Sequence, residues 1–117
     1  MNRRHSRWRV TKDHAPKSSE PLCAGVGDRL LFERRPTEWK GWLWCTNGRG
    51  LKGWVPEDWV SLEGDNCRMK RDYTSLELTV RKGEVLVVKE TESGWAWAED
   101  SDGCEGWVPL GCLEKVP

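Results

Sequence analysis

Lys52 to Trp59 reads KGWVPEDW and Glu105 to Cys112 reads EGWVPLGC, so Gly-Trp-Val-Pro occurs twice, 53 residues apart, in a chain of 117 residues. A period of that length suits a small β domain and is too long for a solenoid repeat, so the chain is expected to hold two small domains. At the same offset Trp42 falls on Trp95, Trp44 on Trp97, Trp54 on Trp107, Val55 on Val108 and Pro56 on Pro109. Upstream the offset widens to 56, pairing Gly25 to Asp28 with Arg81 to Glu84, which places a short insertion of the first half in a surface turn.

Within each half, short apolar alternations bounded by turn residues predict strands, and no helical period is present. LLFE, WLWC and GWVP in the first half correspond to LVVK, WAWA and GWVP in the second. Alternation puts Trp42 and Trp44 on one face with Leu43 and Cys45 on the other, and the WAWA segment repeats this. Asn47-Gly48 and Asp102-Gly103 sit where a hairpin needs residues that tolerate positive φ. Each half is therefore read as displaying a strip of three indoles, with Trp54 or Trp107 across from the WxW strand.

Nineteen basic and nineteen acidic residues cancel. The halves are nonetheless unequal: residues 1–64 carry twelve basic and eight acidic side chains and residues 65–117 seven and eleven, about +4 and −4. Opposite charges favour docking of one half on the other, so the expectation is a monomer with intramolecular domain contact. Five cysteines without a C-x-x-C pair, and two histidines, support neither a zinc site nor a disulfide framework, and no cofactor is expected. MNRRHSRWRV is followed by polar residues rather than an apolar stretch, so neither an export signal nor a membrane span is read, and a cytoplasmic setting is the expectation.

The segment DY…LELTVRKGE…SGWAW…GWVPLGCLE resembles a Src-homology-3 (SH3) domain, with its ALYDY segment, E-L-x-F-x-x-G-D, G-W-W strand and G-hydrophobic-hydrophobic-P block. Residues 9–63 resemble a divergent first copy and residues 68–115 a second, as in the tandem variant SH3-like modules of bacterial proteins. The resemblance implies an all-β fold of two five-stranded SH3-like barrels in tandem, joined by Glu63 to Cys67. Expected core residues are Val10, Leu22, Leu30, Phe32, Leu43 and Val55 in the first and Met69, Leu78, Val80, Leu86, Val88 and Val108 in the second.

It also implies a groove for polyproline-II segments, which are already extended and pack proline rings between flat aromatic walls. Carried over residue by residue, the first groove keeps Trp42, Trp54 and Pro56 and has Trp59 at the turn, with Lys12 and His14 in place of the two tyrosines. Trp39 adds an indole in the basic ERRPTEWK loop, which suits an acidic or aromatic group. The second groove keeps Tyr73, Trp95, Trp107 and Pro109, while Arg71 replaces one tyrosine and Cys112 the turn tyrosine. Each groove is thus incomplete in its own half. Trp44 and Trp97 are read as structural cover, and Pro56 and Pro109 serve equally as rigid starts of turns.

These features point to a non-catalytic protein- or peptide-binding module. No nucleophile elbow or phosphate loop is present, and both His5 and His14 lie in an irregular N-terminal stretch. The rival reading is single-stranded nucleic-acid binding through Arg3, Arg4, Arg7, Arg9, Arg34, Arg35 and Lys40 beside indoles in the first half. Cell-wall ligand binding is a third reading.

Overall fold

The computed structural model describes residues 6–16, 20–36 and 40–117. It is almost entirely β structure, with two five-stranded sheets that form two SH3-like barrels. One sheet contains β3 (Arg29–Glu33), β4 (Trp42–Thr46), β5 (Lys52–Pro56), β6 (Val60–Glu63) and β7 (Asn66–Met69) in the order β5-β4-β3-β7-β6. The other contains β1 (Ser6–Val10), β9 (Val85–Glu92), β10 (Trp95–Glu99), β11 (Glu105–Pro109) and β12 (Leu113–Lys115) in the order β11-β10-β9-β1-β12. A small ladder joins β2 (Cys23–Ala24) to β8 (Tyr73–Thr74).

The compact units do not follow the sequence repeats. One unit is Ser18–Leu76, and the other combines Met1–Lys17 with Glu77–Pro117. The first segment of each repeat has been exchanged: β1 inserts between β9 and β12, and β7 inserts between β3 and β6. The division at 63 and 68 expected from the repeat therefore differs from the division in space. The physical reason lies in the presumed linker, which is a two-residue hairpin turn. Glu63 pairs with Asn66, and Gly64 occupies the first central position at φ 65°, where a hairpin turn needs glycine. The turn folds β7 straight back onto β6 and leaves the second repeat without its own first segment.

Residues 6–16 fill the vacant place, and the two exchanged segments make equivalent bonds. The N–H of Gly83 donates to the Val10 carbonyl at 2.8 Å and that of Gly27 to the Met69 carbonyl at 2.7 Å. The N–H of Lys82 donates to Asp13 Oδ1 at 2.7 Å, and that of Val26 to Asp72 Oδ1 at 2.9 Å. Val10 consequently belongs to the core of the composite unit with Leu78, Val80, Leu86, Val88, Ala96, Ala98, Val108 and Leu113, and not to the first repeat's core as expected. Met69 is buried as the register partner of Val60 in the 18–76 unit, again the reverse of the expectation. Phe32 is only half-buried. Trp8 packs against the composite core.

Exchange also removes the charge asymmetry of the halves. Residues 1–17 carry six basic and one acidic side chain, whereas residues 77–117 carry four and nine. The composite unit holds ten of each sign and the 18–76 unit nine of each, so both are neutral.

The repeated tetrapeptide has a structural role at every position. A Cβ on Gly53 would lie 2.9 Å from Ser75 Oγ, and one on Gly106 would lie 2.9 Å from the Leu78 nitrogen. At Gly106 the obstructing atoms include backbone, and a glycine, with no Cβ, suits that approach. Trp54 and Trp107 meet Trp44 and Trp97 across their hairpins in register. Val55 and Val108 are fully buried. Pro56 and Pro109, at φ −60° and −62°, lead into the 3₁₀ turns Glu57–Trp59 and Leu110–Cys112, a position that suits the fixed φ of proline.

Candidate groove residues and family relationship

In the 18–76 unit, β4 and β5 place Trp42 opposite Pro56 and Trp44 opposite Trp54. Leu43 and Cys45 fill the inner face with no exposed surface, as the alternation predicts. Trp44 and Trp54 meet edge to face, with centroids 5.1 Å apart and planes at 68°, and the Arg35 guanidinium carbon lies 4.8 Å from the Trp44 ring centroid. At the 3₁₀ turn, Trp59 meets Tyr73 edge to face at 5.6 Å. The Tyr73 hydroxyl donates to the Trp54 carbonyl at 2.6 Å.

Tyr73 thus stands in the first repeat's barrel and not in the second repeat's groove, where the sequence alignment put it. Exchange brings the tyrosine that the first repeat lacks to the aromatic set that the first repeat retains. The 18–76 unit thus holds both the Trp42–Pro56 register pair and the Trp59–Tyr73 contact, a set that neither repeat contains alone. Replacing Tyr73 with Phe keeps the ring and removes the hydroxyl; we expect a loss of about 1 kcal/mol, the net worth of one hydrogen bond, in chemical denaturation of the 18–76 unit.

Arg71 arrives on the same segment, its guanidinium carbon 3.6 Å from the Trp59 ring centroid in a cation–π contact. The position where the resemblance places a tyrosine is therefore filled by a cation stacked on the turn indole. Sequence reasoning named Arg71 as a departure from the family pattern but missed this contact, because it assigned Arg71 to the other barrel. In the same unit, Arg34 donates to both carboxylate oxygens of Glu57, at 3.1 and 3.0 Å. The hydrogen bond from Arg34 holds the Glu57 carboxyl below its ordinary range. Trp39, a predicted groove residue, lies outside the described residues, as do Arg3, Arg4 and His5.

The composite unit has the corresponding positions with different chemistry. Trp95 stands opposite Pro109 and Trp97 opposite Trp107, the two facing indoles meeting edge to face at 5.3 Å. At the place equivalent to Tyr73 stands His14, its ring centroid 5.8 Å from that of Trp95 and its Nε2 2.7 Å from Glu77 Oε1. His14 was assigned to the first groove, and exchange moves it to the second. Glu77 escaped sequence reasoning entirely; its place directly before the Leu78-Thr79-Val80 alternation was the available signal.

A polar network holds the Trp97 indole. Its N–H donates to Glu105 Oε1 at 2.8 Å, and Lys89 Nζ lies 2.9 Å from Glu105 Oε2 and 3.0 Å from Glu99 Oε1. Lys89, then the Trp97 N–H, lower the pKa of Glu105 from its ordinary value. A depressed carboxyl contributes stability above the ordinary glutamate range, and that contribution is lost as pH falls through the folded value. We expect the Trp97 indole N–H resonance to move in acid below the ordinary glutamate range; replacement of Glu105 with Gln should abolish that step.

All five cysteines are free. Cys45 and Cys67 are fully buried, and burial pushes both thiols up, which makes them inert core residues, as expected of small hydrophobes. Among the described residues no cluster of three or more His, Cys, Asp or Glu is arranged for a metal ion, and no helix is long and apolar enough to cross a membrane.

The family model described as the variant SH3 domain matches this chain twice, over residues 7–63 and 66–116. No curated protein and no solved structure matches it. The two matches follow the sequence repeats, while the barrels in space each combine segments of both.

Proposed function

Because the chain belongs to the variant SH3 domain family, we propose that it is a non-catalytic binding module. In this reading the constellation of Trp42, Pro56, Trp59 and Tyr73 in the 18–76 unit holds an extended, proline-containing segment of a partner protein. SH3-like domains are generally protein-interaction modules. The observation that carries the finer reading is the contact of Trp59 with Tyr73, which restores to one barrel the tyrosine its own repeat lacks. Flat rings flanking a fixed proline are what a polyproline-II segment requires. Trp54 extends the same proposed surface, and Trp39 is kept as a candidate from the sequence. The composite unit offers Trp95 and Pro109 with His14 in the tyrosine place, whereas Trp107, read from the sequence as a displayed groove residue, is buried; it is the lesser groove for proline.

Trp42 and Trp59 each expose 8% of their surface and Tyr73 exposes 7%. The ring edges they leave exposed, together with the half-buried Trp54, are the surface a ligand meets in this reading. Nucleic-acid binding loses support from the exchange. Arg7 and Arg9, counted toward a basic first barrel, lie on β1 in the composite unit with its nine acidic residues in 77–117, and each unit is neutral.

The test is a two-dimensional NMR titration of the isotope-labelled full chain with proline-rich peptides, followed at the indole N–H signals. Shifts of Trp42, Trp54 and Trp59 are expected first, and replacement of Trp42 with Phe should weaken the binding. Absence of any indole shift at millimolar peptide would refute the groove assignment. Binding that collapses steeply with added salt would favour nucleic acid or another polyanion.

A further inference from the structure

We propose that the strand-acceptor site between β9 and β12 takes residues 6–16 from a second copy of the chain as well as from its own. The product is a reciprocal dimer, in which each copy supplies β1 and His14 to the other's composite unit. The His14–Glu77–Trp95 cluster then contains one residue of the partner copy.

The argument starts from how β1 is held. It is an interior strand: Trp8 pairs with Leu86 on one side and with Lys115 on the other. Val10 is 99% buried in the core, and His14 exchanges backbone hydrogen bonds with Val80 at 2.9 and 2.8 Å. Arg9 reaches Glu114 at 3.3 Å. Residues 1–17 carry six basic and one acidic side chain, and residues 77–117 carry four and nine. Pairing is thus specified by ladder, core and charge.

No local connection specifies it. Between residue 17 and residue 77 the chain builds the whole 18–76 unit, so the link from β1 to its acceptor runs through a second compact unit. The acceptor's own first segment, β7, is held on β6 by the turn at Gly64 and does not compete. An identical set of contacts forms whichever copy donates residues 6–16, and exchange of identical elements is a low-cost route to dimers. What favours the donor in the same chain is its effective concentration alone, which the length and stiffness of the intervening chain set. Because β1 is interior, an exchanged dimer dissociates only by breaking both of its ladders, so it persists on dilution.

The test uses the full chain. It is denatured, refolded at micromolar and at near-millimolar concentration, diluted and sized by light scattering. We expect the ratio of dimer to monomer to rise at least about tenfold with refolding concentration, in line with the effective-concentration argument, and to survive dilution. Two differently tagged chains, one carrying Arg9→Cys and the other Glu114→Cys, are refolded together and treated with a short thiol crosslinker. A two-tag product is expected after joint refolding and not after separate refolding followed by mixing, with chains lacking either new cysteine as background. A chain that stays monomeric at every refolding concentration overturns the proposal, and so does a dimer that gives no two-tag crosslink. The sizing experiment on the unsubstituted chain stands by itself where a cysteine variant fails to fold.

Discussion

Replacing Val10 with Asp is expected to unfold the unit built from residues 77–117 while the 18–76 unit keeps its fold. Val10 is 1% exposed in a core made otherwise of residues 78–113. An unpaired carboxylate there is unfavourable by on the order of 5 kcal/mol even after it takes up a proton, which is comparable to the whole stability of a small domain. In spectra of the labelled chain, the indole signals of Trp95, Trp97 and Trp107 should collapse to unfolded positions while those of Trp42, Trp44, Trp54 and Trp59 stay dispersed. Met69→Asp should do the opposite, since Met69 is buried beside Val60. If Val10→Asp instead collapses the first-repeat indole signals and spares the others, each repeat folds on its own segment and the exchange is wrong.

Substitution of Gly106 by Val is expected to destabilise the composite unit by about 3 kcal/mol or more, the upper range for forcing added volume into a packed site. The obstacle is backbone. A Cβ at Gly106 would lie 2.9 Å from the Leu78 nitrogen, 3.1 Å from its Cβ and 3.2 Å from the Glu77 carbonyl carbon. Relief would require moving the strand arm that also bridges Glu77 to Trp107. At Gly53 the nearest atoms are all side chain, the Ser75 hydroxyl at 2.9 Å, which accepts from the Leu22 N–H, and Leu22 Cβ and Ser75 Cβ at 3.2 Å. Gly53→Ala should therefore cost only about 1 kcal/mol, the low end of the same range. Denaturant titration with the indole signals of each unit as separate probes measures both. Equal losses for alanine at the two sites would show that the backbone contact at Gly106 is not what sets its cost.

The same asymmetry separates the two aromatic constellations. Where one unit has Tyr73 hydrogen-bonded to the strand and set against Trp59, the other has His14 tied to Glu77 beside Trp95. These are different chemistries at equivalent places, and each was delivered by the segment of the other repeat.

What the sequence by itself determined is local. Period-two alternation predicts that Leu43, Cys45, Ala96 and Ala98 face inward, because successive side chains of a strand point to opposite faces, and all four are fully buried. The 53-residue repeat predicts two equivalent hairpins, and Trp44 faces Trp54 as Trp97 faces Trp107. What only the tertiary structure decided is which body receives which first segment. Residues 6–16 and 66–76 carry the same pattern and bond to equivalent groups, Gly83 and Lys82 for one, Gly27 and Val26 for the other. Backbone ladders carry no address, so pattern alone matches either segment to either body. The choice rests on a two-residue turn at Gly64 and on the +5 and −5 charges of residues 1–17 and 77–117, which become decisive only when the chain closes on itself.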